Sequence, residues 1–404
     1  FLCNGHGEDV IALRILEQLH KLHPSLALEV LPLVGKGNVF KDAISQKWLI
    51  QRGPSTTLPS GGFSNQSFLA FVGDIFSGLF ISTFKQWIYV REAASNGVSI
   101  VAVGDFLPLI FAWTSGAEYA FFGTPKSDYT WISGPGWKFS DYYHRLKGTE
   151  WDPWEYALMK SNRCKMIAVR DKITARGLRH HGVPAQALGN PMMDGLKKYS
   201  CPDSLKNFRR LVLLCGSRMP EAEKNFKRLL HSVDFIQTPT PLLILVTTGS
   251  EPSLGTLEYQ LDKSGYSEAS SPSNELGDFS CWSKGSTLVL LGPCQFINWA
   301  SWAEIGLANA GTATEQLVGL GIPCVSLPGK GPQFKRGFAL RQSRLLGGAV
   351  LPCRTPAIFA KRVELLLRDR PLRMKLVKDG SKRMGLEGGS VELSLLISKT
   401  MLNT

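Results

Sequence analysis

The chain has 404 residues, 44% of them hydrophobic, which is more than one ordinary core holds and predicts two globular domains. Its net charge of +13 suits anionic partners, but no stripe of Lys and Arg with interleaved aromatics accompanies it, which argues against a nucleic-acid binder. The eight cysteines are scattered without a CxxC pair, which argues against a zinc or disulfide scaffold and reads as reduced, mostly buried thiols in a cytoplasmic protein.

Phe1-Leu2-Cys3 reads as the end of a first strand, which leaves open whether residues precede it; no signal peptide is visible. Asn4-Gly5-His6-Gly7-Glu8-Asp9 follows as a Gly-rich turn into a helix over 10–22. A histidine between two glycines on a turn is not a packing residue, so His6 is a candidate catalytic group. Gly5, Gly7, Glu8 and Asp9 form the loop around it, and Glu8 or Asp9 equally suits capping the helix and complementing its dipole. Further on, Phe63, Phe68, Phe71, Phe76, Phe80, Phe84 and Trp87 recur partly at helical spacing. That stripe reads either as core or as a membrane contact, with Lys85 and Arg91 suited to anionic lipid. Asp74 and Lys85 interrupt the apolar region 68–90, so no spanning helix is expected.

Strands are predicted at 28–34, 98–103, 166–169, 185–188, 211–215, 242–247, 287–291, 305–309, 322–327 and 349–351. Between them lie helices, among them 172–181, 221–230, 312–320 and 356–367. The alternation predicts parallel sheets with crossover helices. Strand 98–103 runs into Gly104-Asp105-Phe106-Leu107-Pro108. At the C-terminal end of a strand, where open α/β sheets hold ligands, Asp105 reads as a general base toward a sugar hydroxyl or as a helix N-cap. Gly189-Asn190-Pro191 ends one strand series, and the domain boundary is placed there. The Ser- and Gly-rich stretch 264–286 lacks periodicity and reads as a long surface loop.

In the second half, Cys215-Gly216-Ser217-Arg218 follows a strand: Gly216 and Ser217 offer donors to a phosphate and Arg218 offers a charged fork. Phe296 and Ile297, after strand 287–291, suit a flat base or the core. Asn309-Ala310-Gly311-Thr312-Ala313-Thr314-Glu315 joins a strand to a helix, and small residues there let backbone N–H groups reach a phosphate at the helix N-terminus. Gln333 suits sugar hydroxyls, and Lys330 suits phosphate. No G-x-G-x-x-G fingerprint with a following ribose acid, no Walker loop and no GxSxG elbow is present, which argues against NAD, ATP and serine-hydrolase chemistry.

These motifs resemble those of the GT-B glycosyltransferases that use UDP-sugars, and within them lipid-A-disaccharide synthase. Cys215-Gly216-Ser217-Arg218-Met219-Pro220-Glu221 is similar to that family's Pro-Gly-Ser-Arg-x-x-Glu, with Cys215 in place of proline. Ala310-Gly311-Thr312-Ala313-Thr314-Glu315 is similar to its Ser-Gly-Thr-Ala-Thr-Leu-Glu, with the acid one residue earlier. Gly104-Asp105-Phe106 loosely resembles its Asp-Pro-Asp-Phe region. Phe296-Ile297 resembles the uracil loop of the peptidoglycan glucosaminyltransferase, and Gly189-Asn190-Pro191 the hinge of UDP-N-acetylglucosamine 2-epimerase. Gly5-His6-Gly7-Glu8-Asp9 is nearest to cyanobacterial and plastid-type relatives of the synthase.

The resemblance implies an α/β GT-B fold of two Rossmann-like doubly wound domains facing across a cleft. Residues 1–190 would hold the acceptor, 191–385 the UDP-sugar, and 386–404 would pack back on the first domain. It implies a hexosyltransferase moving sugar from a UDP-sugar to a lipid-like acceptor, with His6 or Asp105 as base. Gly216, Ser217, Arg218, Phe296, Ile297, Gly311, Thr312, Ala313, Thr314, Glu315 and Gln333 would hold the donor. No DxD motif falls at a strand end, so neither metal nor cofactor is expected. The expected location is cytoplasmic, with peripheral contact on the inner face of a membrane. The alternatives are a 2-epimerase-like enzyme and a catalytically degenerate UDP-sugar-binding protein.

Overall fold

A computed structural model describes residues 1–53, 79–133, 139–249, 251–272, 279–329 and 335–402. Phe63, Phe68, Phe71, Phe76, Lys330 and Gln333 lie outside the described residues, as do the side chains of His6 and Phe80. The chain divides into two compact units, one of Phe1–Ile132, Trp137–Asp194 and Leu386–Thr404, the other of Gly195–Gly385 with Ser133–Gly136.

The described strands of the first unit are β1 (Leu2–Cys3), β2 (Leu28–Pro32), β3 (Leu49–Gln51), β4 (Ile100–Gly104), β5 (Tyr119–Gly123) and β6 (Cys164–Val169). They form one parallel sheet in the order β3-β2-β1-β4-β5-β6. Every residue of β4 and β5 is buried, as expected of central parallel strands covered on both faces. The order reverses between β1 and β4, where Leu2 pairs with Ala102. Loops leaving the carboxyl ends of these two strands therefore diverge to opposite faces and open a crevice.

The second unit contains β7 (Arg209–Leu214), β8 (Leu242–Thr248), β9 (Ser267–Glu268), β10 (Ser280–Lys284), β11 (Thr287–Pro293), β12 (Ile305–Ala308), β13 (Cys324–Ser326) and β14 (Val350–Pro352). Their order is β14-β13-β12-β7-β8-β11-β10-β9, and the reversal falls between β12 and β7, where Ala308 pairs with Leu214. The helix Glu221–Val233 covers this sheet because Ala222, Phe226, Leu229, Leu230 and Val233 recur on one face and are all buried.

Two expectations are corrected, and one strand is added. The stretch 264–286 is not wholly a loop: β10 pairs antiparallel with β11, and β9 with β10. Lys284 pairs with Thr287 across Gly285-Ser286, and Gly285 has φ +57°, the left-handed backbone that a tight hairpin turn requires. That Gly-Ser turn was the available signal; the polar residues of an edge strand hid it. Second, 185–188 makes only a single bridge, Gln186 with Ala168. The added strand, β5, went unrecognised because apolar residues run on from the helix Phe106–Ser115. Gly116, the left-handed C-cap at φ +91°, divides the two.

The last helix, Gly389–Met401, packs on the helix His6–Leu22, and His23 Nε2 lies 2.9 Å from Ser398 Oγ. Among the described residues, no helix is long and apolar enough to cross a membrane.

Candidate functional site

Each sheet presents a cluster at its reversal point. In the first unit, Asn4 follows β1 and Asp105 follows β4, and the sheet brings them together across 101 residues of sequence: Asn4 Nδ2 donates to Asp105 Oδ1 at 2.6 Å. The same oxygen accepts from the Leu107 N–H at 3.0 Å, so Asp105 is the N-cap of the helix Phe106–Ser115. Its Oδ2 makes no hydrogen bond among the described residues. Gly104 has to be glycine: its φ is +137°, and a Cβ there would lie 2.0 Å from Asn4 Oδ1. Asn4 was not singled out from sequence. The available signal was a short amide at the end of a buried strand, directly before a glycine.

The expected loop around His6 is shorter than foreseen. The helix begins at His6 rather than Val10, so Gly7, Glu8 and Asp9 occupy its first turn and Gly5, at φ +151°, is the N-cap. The N-cap Gly5 has no side chain to cap this helix, and the Asp9 carboxylate bonds back to the Gly5 backbone. The Glu8 and Asp9 carboxylates complement the dipole from the first turn. The Glu8 carboxylate folds back over Gly5, within 2.9 Å of where a Cβ would sit. Asp9 is buried against Cys3, and among the described residues its Oδ1 has no hydrogen-bond partner.

Burial pushes the Asp9 carboxyl up to about 6, partly offset by the Cys3 thiol and the Gly5 backbone. Its folded value lies above that of an unfolded carboxyl. The protonated form therefore stabilises the native state at low pH, and that contribution is lost as pH rises through about 6. Asp9→Asn is expected to be no more stable than wild type near pH ~4, and to exceed it by about 3 kcal/mol above pH ~7. Urea melts of both proteins across this range check it, and a difference that does not change with pH would contradict it.

In the second unit the turns after β7 and β12 leave neighbouring strands. Asn309 holds the second turn: its N–H donates to Leu214 O at 2.8 Å, and its buried side chain donates to Leu327 O at 2.8 Å. Asn309 Oδ1 accepts from Ser326 Oγ at 2.9 Å and from the Leu327 N–H at 3.1 Å. Gln342, on the helix Arg336–Leu345, donates to the carbonyls of Ala310 and Gly311 at 3.1 Å each. Gln342 was invisible from sequence, since nothing local links it to a turn 31 residues away.

Gly311 is the N-cap of the helix Thr312–Gly319, which no side chain caps, and a Cβ on Gly311 would meet nothing within 4 Å. Among the described residues the space at the turn is therefore open, and the first helical N–H groups suit an anion. Thr312, Ala313, Thr314 and Glu315 form the first turn. Thr314 is buried, its Oγ1 donating to Ala310 O at 2.8 Å, which makes it a brace for the turn. Glu315 is half-buried.

After β7, Gly216 has φ +91°, Ser217 is exposed and Arg218 is half-buried. Cys215 is buried and its thiol is pushed up to about 12, so it packs and does not act as a nucleophile. Phe296 and Ile297 open a short helix, Phe296–Trp302, at the carboxyl end of β11. They are not in the core: Phe296 is half-buried and Ile297 exposed. The structure thus brings the Gly216–Arg218 and Gly311–Glu315 turns to one reversal point and sets Phe296 and Ile297 on the same sheet edge, two strands away.

No family model matches the chain, and no curated protein matches it. Among solved structures, it is similar to a Listeria monocytogenes protein assigned as a UDP-N-acetylglucosamine 2-epimerase (13% identity, 99% of this chain and 96% of that one, TM-score 0.59). It is also similar to the calicheamicin glycosyltransferase (13% identity, 100% and 98%, TM-score 0.57). A third is the UDP-N-acetylglucosamine 2-epimerase of Neisseria meningitidis bound to UDP-N-acetylglucosamine (13% identity, 100% and 99%, TM-score 0.53). Spanning both chains almost completely, these likenesses and the two sheet orders show the fold: α/β, of GT-B type, with two Rossmann-like doubly wound units.

Proposed function

We propose that the protein is a UDP-sugar-dependent hexosyltransferase acting on a lipid-like acceptor. The observation that carries the donor half is the meeting of the Gly216–Arg218 turn and the uncapped Gly311–Thr312 helix start at the reversal point of the second sheet. Two neighbours of the same fold were solved with the ligand class in place, one with UDP-N-acetylglucosamine and one, from S. aureus, with UDP.

On this reading the diphosphate rests on the Gly311–Thr312 backbone and Arg218, uracil lies against Phe296 and Ile297, and Glu315 takes ribose or sugar hydroxyls. Helix dipole and guanidinium stabilise the departing UDP, so the step needs no metal. In the first unit Asp105 or His6 accepts the proton of the acceptor hydroxyl as its oxygen attacks the anomeric carbon. Asn4 holds Asp105 in place.

The test is a thermal-shift titration with UDP, three UDP-hexoses, ADP and NAD on wild type and Arg218→Ala. A ligand at ~100 times its Kd stabilises by about 2.7 kcal/mol. A shift with uridine diphosphates alone, lost in Arg218→Ala, is expected; no shift with any of them would sink the reading.

The likeness to two 2-epimerases keeps one other reading in play. Incubation with UDP-N-acetylglucosamine and no acceptor decides between them. Inversion at the sugar C2 would favour an epimerase, and UDP release that waits for an acceptor would favour transfer.

A further inference from the structure

In the first unit, past β5, a short helix, Ser140–Lys147, carries an apolar face that no described residue covers. Phe139, at its N-cap, is 92% exposed, Leu146 89% and Tyr142 55%. Among the described residues Phe139 and Leu146 are the most exposed large apolar side chains. Spacings of three and four residues put Phe139, Tyr142 and Leu146 on one helix face. Tyr143 on the same helix and Trp154 just past it are exposed too, and Tyr143 Oη donates to Asp152 Oδ1 at 3.1 Å. Scattered exposed apolar residues need no explanation; a phenylalanine and a leucine bared together, with Tyr and Trp exposed nearby in the chain, do.

We propose that this helix is a docking element for an anionic bilayer surface. Charge favours an anionic surface, and the exposed aromatic side chains favour lipid. Arg145 is exposed beside the apolar face, while the carboxylates of the segment are turned inward or neutralised. Asp141, Glu150 and Glu155 are buried, and Asp152 is paired with both Lys126 and Lys147. No carboxylate of this segment is left to repel lipid headgroups, and the chain as a whole carries +13. Exposed Tyr and Trp together with Phe and Leu match the boundary between headgroups and acyl chains.

The placement bears on chemistry. The element leaves the sheet past β5, and Asp105 leaves it past β4, whose Gly104 pairs with Gly123 of β5. The strands that precede the helix and the proposed base are thus neighbours in the sheet. The inference deepens the lipid-acceptor half of the proposed function and is independent of the donor half.

Vesicle flotation tests it, with phosphatidylcholine alone and with added phosphatidylglycerol. Wild type is expected to float only with the anionic lipid and to be released by salt. Phe139→Ser combined with Leu146→Ser is expected to lower the partition coefficient by ~10-fold or more, and Arg145→Glu by less. Both side chains are exposed, so the melting temperature and any UDP shift are expected to stay at wild-type values. Equal partition of wild type and the double variant would overturn the proposal, as would no partition of either. So would a wild-type dimer, seen by sedimentation velocity, that the double variant abolishes without vesicle binding. Flotation intact with no UDP shift would sink the donor reading and leave the docking element standing.

Discussion

Asp105→Asn is expected to lower turnover by ~10²–10⁴-fold, the usual cost of losing a general base, while the protein melts close to wild type. The substitution separates the two roles that one carboxylate combines. Asp105 Oδ1 caps its helix through the Leu107 N–H and receives the Asn4 amide. Asparagine offers an oxygen to both and caps as well as aspartate does. What it lacks is the negative charge that accepts the acceptor's proton. If Asp105→Asn turns over like wild type, Asp105 is a cap and nothing more. His6→Ala, measured alongside, decides between the two candidate bases, and full activity in both variants would show both assignments to be wrong.

Asp194→Ala is expected to destabilise the protein by about 3 kcal/mol, the size of a charge-assisted bond lost with its donors left unpaired. The Asp194 carboxylate receives the N–H groups of Gly388 at 2.7 Å, Gly389 at 3.2 Å and Ser390 at 2.7 Å, the start of the last helix. No side chain of that helix caps it, so Asp194 acts as the cap from elsewhere in the chain and complements the dipole. The backbones meet closely: a Cβ on Gly389 would lie 2.7 Å from Asn190 N, and one on Gly189 2.9 Å from Gly389 Cα. Arg14 donates to Pro191 O from the helix His6–Leu22. Urea melts give the loss, and limited proteolysis is expected to release the segment after Leu386 first. A variant that melts and resists protease like wild type would show that packing against the helix His6–Leu22 suffices.

Asp194 and Asp105 also show where reading the sequence stopped. The motif Gly189-Asn190-Pro191 was legible as a break, but not that its neighbour Asp194 caps a helix starting at Gly389. Asp105 was legible as a strand-end acid, whereas its partner Asn4, 101 residues away, was not. Asp9 looked like a cap or a loop acid. Its burial against Cys3 depends on what packs around the first helical turn, which no local pattern reports.

What the sequence by itself determined is local. Runs such as Ile100–Gly104 and Leu242–Thr248 are strands because they are apolar and β-branched enough to be buried on both faces. Gly5 marks a strand-to-helix turn because its φ of +151° favours a residue without a Cβ, and Gly311 marks one where the missing Cβ leaves room for a ligand. Alternation of such strands with amphipathic helices is sufficient for an α/β fold of two doubly wound units. The tertiary structure alone decided which strands are neighbours. β1 meets β4 and β7 meets β12 across about a hundred residues each, and those pairings place Asn4 beside Asp105 and the Gly216–Arg218 turn beside Gly311. It also decided what stays uncovered, leaving Phe139 and Leu146 bare at the helix Ser140–Lys147. The physical reason is the same in both cases. Propensity and turn chemistry act over a few bonds, whereas pairing order and burial depend on every element that competes for the same face.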